Sequence, residues 1–88
     1  MSERDRILWH CRRGLLELDL VLARFNATHL DGLDAEGRAA YRKLLEYGDN
    51  DLLDLVMERA ELMEDAECSE VLALLRHTEA RKPPENTL

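Results

Sequence analysis

An 88-residue chain is enough for one domain with a modest core, and too short for a two-layer sheet that would hold a dinucleotide by itself. Hydrophobic residues make up 45% and charged residues 35%, the balance of a globular domain with a heavily charged surface rather than of a disordered chain. The net charge of −7 argues against nucleic acid as a partner, because phosphate binding needs a basic surface.

Helical periodicity runs through almost every segment, and none alternates like a strand. Residues 3–13 read as a short helix with Ile7, Leu8 and Cys11 on one side. Gly14 then fits the position just past its end, where a left-handed backbone costs Gly little. A second helix is expected from about Leu15 to Thr28. Leu15, Leu18, Leu22 and Phe25 form its apolar stripe, which Leu16 and Leu20 would widen. Glu17 and Asp19 fall in its first turns, where the helix dipole favours acids.

"THLDGLD" reads as a loop that ends on Asp34, a good N-cap for a third helix over about 35–47. Ala40, Tyr41, Leu44, Leu45 and Tyr47 form its apolar side, and Gly48 ends it. "DND" opens a fourth helix at about 51, with Leu52, Leu53, Val56 and Met57 facing inward. No Gly or Pro follows until after Arg81, so propensity alone permits one long helix. A break is expected near "LMEDAE", where Asp65 can cap and Cys68, Val71, Leu72 and Leu75 start a fresh stripe. The polar tail 80–88 contains Pro-Pro and is expected to be disordered, which leaves a single domain over 1–79. The fold class predicted is all-α, a compact small bundle of about five short helices. Such a bundle has no deep cleft, which weighs against an enzyme.

The N-terminus has no apolar stretch of signal length and no run reaches the length of a membrane span, so an intracellular protein without membrane insertion is expected. Cys11 and Cys68 leave a disulfide open. Each sits on an apolar helical face, however, where free Cys behaves as a small hydrophobe. No metal-ligand spacing is present. Asp49, Asp51 and Asp54 lack the Gly and the ligand positions of a calcium loop. His10 and Cys11 are adjacent on a helix and point in different directions, which gives no nucleophile–base pair.

Two features are less ordinary. Residues 46–70 hold ten carboxylates and one base, Arg59, either as a solvated face or as a docking surface for a basic partner. The other is Arg12-Arg13-Gly14 with Glu17. If Gly14 joins two helices, Arg13 projects from the corner with Glu17 on the same side, about one turn away. Each element also has a structural explanation, as a C-terminal cation, a Gly cap and a first-turn acid.

"WHCRRGLLELD", 9–19, resembles the Arg-Gly-x-x-Glu signature of the succinate dehydrogenase assembly factor family, and "LLEYGDNDLLDLVM", 44–57, resembles that family's second block. The likeness covers about residues 4–78. Leu15, Asn50 and Leu55 stand where members often have Met, Pro and Trp. The resemblance implies a five-helix bundle that is not an enzyme. It implies binding to the flavoprotein subunit of succinate dehydrogenase, and in some bacteria to that of fumarate reductase, promoting covalent attachment of FAD to a His of that subunit. It further implies a bacterial cytoplasmic protein that acts on its client's FAD and holds no cofactor stably itself. By position, Arg13, Gly14 and Glu17 would form the functional surface, with Trp9, Arg12, Asp19, Glu46, Asp49 and Asp51 beside or supporting it. The alternative is an antitoxin-like or regulatory bundle that masks a partner, which would have no need of Arg13 and Glu17 together.

Overall fold

In the computed structural model, residues 2–61 and 66–81 are described. Ser2 starts the first helix, α1 (Glu3–His10), by accepting the Asp5 N–H at 3.1 Å. Four more helices follow: α2 (Leu16–Thr28), α3 (Ala35–Leu45), α4 (Asp49–Val56) and α5 (Ala66–Ala80). A single 3-10 turn, Leu30–Gly32, separates α2 from α3. No strand occurs among the described residues, so the all-α class and the five-helix count both hold.

The core is built around α5, which packs against α2, α3 and α4. Leu18, Val21, Leu22 and Phe25 of α2 are buried at the i, i+3, i+4, i+7 spacing of one helical face. They share one core cluster with Ala40, Tyr41, Leu44 and Leu45 of α3, Leu52, Leu55 and Val56 of α4, and Cys68, Val71, Leu72 and Leu75 of α5. Phe25 and Tyr41 meet in a tilted arrangement with ring centroids 4.8 Å apart. Asp34 caps α3 as expected, accepting the Gly37 N–H at 2.7 Å. Both cysteines are buried and are not joined in a disulfide.

Several boundaries differ from expectation. α1 stops at His10 rather than 13 because its last turn tightens, with Cys11 N–H on the Leu8 carbonyl and Arg12 N–H on the Trp9 carbonyl. Leu15 is the N-cap of α2 rather than part of its stripe, although it still packs on the core. Leu16 and Leu20 do not widen the buried stripe; they are 73% and 51% exposed, on the side of α2 opposite the core. α3 ends at Leu45, and Gly48 serves as the N-cap of α4, which begins at Asp49.

The fourth helix ends ahead of "LMEDAE", while α5 begins at Ala66 within that stretch and buries the expected stripe of Cys68, Val71, Leu72 and Leu75. α4 ends at Val56 in a Schellman turn: Glu58 N–H bonds the Leu55 carbonyl at 3.2 Å and Arg59 N–H the Asp54 carbonyl at 2.7 Å. Glu58 takes the left-handed position of that turn at φ 62°. Arg76 then ties α5 to the end of α4 by donating to the carbonyls of Leu55 at 2.8 Å and Ala60 at 3.2 Å. The expected Asp65 cap and almost all of the expected disordered tail lie outside the described residues.

Candidate partner-binding corner

The turn between α1 and α2 is organised by Asp19. From the first turn of α2 its carboxylate reaches back to the N–H groups of Arg13 at 3.0 Å and Gly14 at 3.1 Å. One side chain thus satisfies two backbone donors of the turn that leads into α2. Sequence reasoning placed Asp19 near the site but gave it only a dipole role. Gly14 adopts φ +81°, and a Cβ added there would meet nothing within 4 Å. The glycine is therefore needed for backbone conformation, while the space above it is open.

Arg13 does not project from the corner. Its side chain is 9% exposed and runs inward. Nε donates to the His10 carbonyl at 3.0 Å, one guanidinium nitrogen to the Tyr47 carbonyl at 2.7 Å and to Asp49 Oδ1 at 3.1 Å, and the other nitrogen to the Leu45 carbonyl. The planar fork thus collects carbonyls from the C-terminal ends of α1 and α3 and an acid at the N-terminus of α4. Asp49 belongs to this cluster, whereas Glu46, the C-cap of α3, and Asp51 are exposed to solvent near it in sequence.

Glu17 is exposed on the first turn of α2, with Leu16 beside it and Leu20 one turn on. Trp9 is 64% exposed, and the Arg12 guanidinium lies 5.9 Å from the centre of its ring. The structure therefore separates the nine expected site residues into two groups. Arg13, Asp19 and Asp49 bond to one another's segments and fix the turn. Trp9, Arg12, Gly14, Glu17, Glu46 and Asp51 face solvent. Leu16 and Leu20 belong with the second group and were missed. The signal for them was α2 being apolar on two opposite faces, which a one-sided stripe does not require.

Behind the corner lies a closed ring of hydrogen bonds. Tyr41 Oη donates to Asn26 Oδ1 at 2.6 Å, and Asn26 Nδ2 donates to Cys11 Sγ at 3.4 Å. The thiol lies 3.4 Å from Tyr41 Oη; since the phenol proton is committed to Asn26, the thiol is the donor there. Burial first, and the adjoining Cys11 next, push the Tyr41 phenol far above its ordinary pKa. Cys11 thus packs in the core as expected and also holds α1 to α2 and α3.

No three His, Cys, Asp or Glu side chains among the described residues converge to hold a metal ion. No described helix is long and apolar enough to cross a membrane. The distinctive feature is an exposed corner on a rigid support, which defines a small all-α protein that presents a surface.

The chain belongs to the succinate dehydrogenase flavinator family, whose sequence model, described as flavinator of succinate dehydrogenase, matches residues 5–79. It is 43% identical over 74 residues to the FAD assembly factor SdhE of Pseudomonas aeruginosa, covering 84% of this chain and 87% of that protein. It is 39% identical over 75 residues to the FAD assembly factor SdhE of Legionella pneumophila strain Lens, covering 85% and 92%. A third relative of the same name, from Methylococcus capsulatus, is 46% identical over 52 residues, 59% of this chain and 63% of the relative. No solved structure matches significantly. The family is thus one of assembly factors for FAD in succinate dehydrogenase.

Proposed function

We propose that this protein binds the flavoprotein subunit of succinate dehydrogenase in the bacterial cytoplasm and promotes covalent attachment of FAD to a His of that subunit. The flavin chemistry belongs to the cofactor and the client. This chain contributes geometry: it docks on the flavoprotein, holds it with FAD and the acceptor His in register, and leaves without itself retaining the flavin. Placement of two reacting groups can supply several kcal/mol of a barrier (on the order of 7–11 in the best oriented cases) without any catalytic side chain on the factor.

The observation that carries this reading is the construction of the corner. Gly14 lies at positive φ beneath open space, held from below by Asp19 and flanked by exposed Glu17. A partner's backbone can approach closely there, and the Glu17 carboxylate is available to its donors. Arg13, buried among carbonyls, acts on the partner only through the position it gives the turn.

The test is capture of the flavoprotein by the purified factor, followed by in-gel flavin fluorescence of the client with and without it. Covalent flavin that appears equally fast without the factor would end this reading. The flavoprotein subunit of fumarate reductase, run in parallel, tests for a second client.

A further inference from the structure

We propose that the outer face of α2 is a self-complementary surface on which a second copy of this chain docks antiparallel. Leu16, Leu20, Ala23 and Ala27 recur at i, i+4, i+7 and i+11, and all four are exposed. Their face lies opposite the buried stripe of Leu18, Val21, Leu22 and Phe25. A helix that is apolar on both sides, in a chain in which 35% of residues are charged, has one side without a partner.

The order of the four residues selects the occupant. The two large side chains sit in the N-terminal half of the stripe and the two small ones in the C-terminal half. A two-fold axis passing between Leu20 and Ala23 puts Leu16 level with Ala27 of the second copy and Leu20 level with its Ala23, each pair occurring twice. Large then meets small at every level, as an isologous contact requires. A parallel copy would stack Leu on Leu and leave Ala facing Ala.

The charges beside the stripe agree with this register. Glu17 and Arg24 lie on the same flank of α2, seven residues apart. Under the two-fold, that flank meets its own copy. At 1.5 Å of rise per residue, Glu17 comes within about 3 Å along the axis of the second copy's Arg24. The Arg24 side chain is 33% exposed; one of its nitrogens bonds the Thr78 carbonyl at 3.1 Å and lies 3.8 Å from the Glu79 carboxylate of α5, and the cross-pair draws on the remaining donors of the guanidinium. The two cross-pairs set orientation more than affinity. A stripe of four side chains covers less than the roughly 800 Å² per partner of a stable complex, so the dimer is reversible. Because it covers Glu17, self-association and the client contact proposed above exclude each other.

Sedimentation equilibrium of the purified full chain, over concentrations up to about 1 mM, tests this. A monomer–dimer equilibrium is expected, and Leu20→Glu should move its midpoint at least about tenfold higher without altering the circular dichroism. Glu17→Arg and Arg24→Glu should each weaken the dimer alone. An equimolar mixture of the two should restore it, since both cross-pairs become attractive again. If Arg24→Glu impairs folding, Arg24→Gln takes its place, and the mixture should still associate better than Glu17→Arg alone. A wild-type chain that stays monomeric throughout, a Leu20→Glu chain that still dimerises, or a mixture no stronger than its components would overturn the proposal. So would a monomeric wild-type chain whose capture of the flavoprotein is lost in Leu20→Glu, which would assign the stripe to that partner.

Discussion

Arg13 and Asp49 pair at 3.1 Å, with side-chain exposures of 9% and 45%, and this one contact links the α1–α2 turn to the start of α4 across thirty-six residues of chain. The guanidinium satisfies carbonyls at the ends of two helices in addition to the carboxylate. Arg13→Ala leaves these acceptors without a donor and should destabilise the fold by about 2–4 kcal/mol. Arg13→Lys should recover less than half of that, because a single ammonium cannot span the separated acceptors. Urea unfolding of the three proteins checks this. Equal midpoints for wild type and Arg13→Ala would return Arg13 to the surface.

Glu17 should behave in the opposite way. It is exposed, so Glu17→Gln should change stability by no more than about 0.5 kcal/mol. If the carboxylate meets the client, the same change should cut covalent flavin incorporation far more than stability explains. Flavinylation and melting curves measured together decide it, and incorporation that simply follows melting temperature would remove Glu17 from the contact.

At Gly14 the backbone and the space above it can be separated. Gly14→Ala should cost about 1 kcal/mol, from positive φ alone, since nothing lies within 4 Å of the added Cβ. Gly14→Asn should cost less, because Asn enters the left-handed region more readily. Close approach by the client predicts that Gly14→Asn melts near wild type yet flavinylates poorly. Full activity in that variant would show that only the backbone conformation matters.

Tyr41 gives the fold a dependence on alkaline pH. Its phenol pKa is raised in the folded state, so the unfolded chain loses that proton first as pH rises through about 10. The contribution is fully present below that pH and is lost above it, with a slope of about 1.4 kcal/mol per pH unit. Tyr41→Phe should be less stable at pH 7, where it leaves Asn26 and Cys11 without the hydroxyl, and should lack this part of the alkaline fall. Denaturation between pH 8 and 11 measures both slopes, and parallel slopes would contradict the assignment.

Glu58 closes the Schellman turn of α4 at φ 62°, a position that favours glycine. Glu58→Gly should therefore stabilise the protein by about 0.5–1 kcal/mol, the relief of backbone strain exceeding the entropy cost. A lower melting temperature would mean that the Glu58 side chain makes a compensating contact.

Much of the fold was legible in the chain. Helical period, the Asp34 cap and the inward residues of α3 and α5 follow from local rules that act over three or four positions, and local rules are what a sequence displays directly. The end of α4 was not legible, because a non-glycine residue at positive φ leaves no mark in the sequence. The outward side of α2 was legible only as a second apolar face. Leu16 and Leu20 are as apolar as Leu18 and Leu22, and only the packing of α5 decides which face is buried.

The corner divides along the same line. That Arg13, Gly14, Glu17 and Asp19 lie together at a helix joint can be read from the chain, because they are neighbours in it and the spacing of a turn is local. That Arg13 turns inward while Glu17 stays in solvent depends on distant segments packed against the joint. The acceptors that draw the guanidinium in are the main-chain carbonyls of Leu45 and Tyr47, more than thirty residues away. Every residue has a carbonyl, so no pattern of side chains marks these two. They become available to Arg13 because Leu45 is the last residue of α3 and Tyr47 lies just past it, so neither carbonyl is used within that helix.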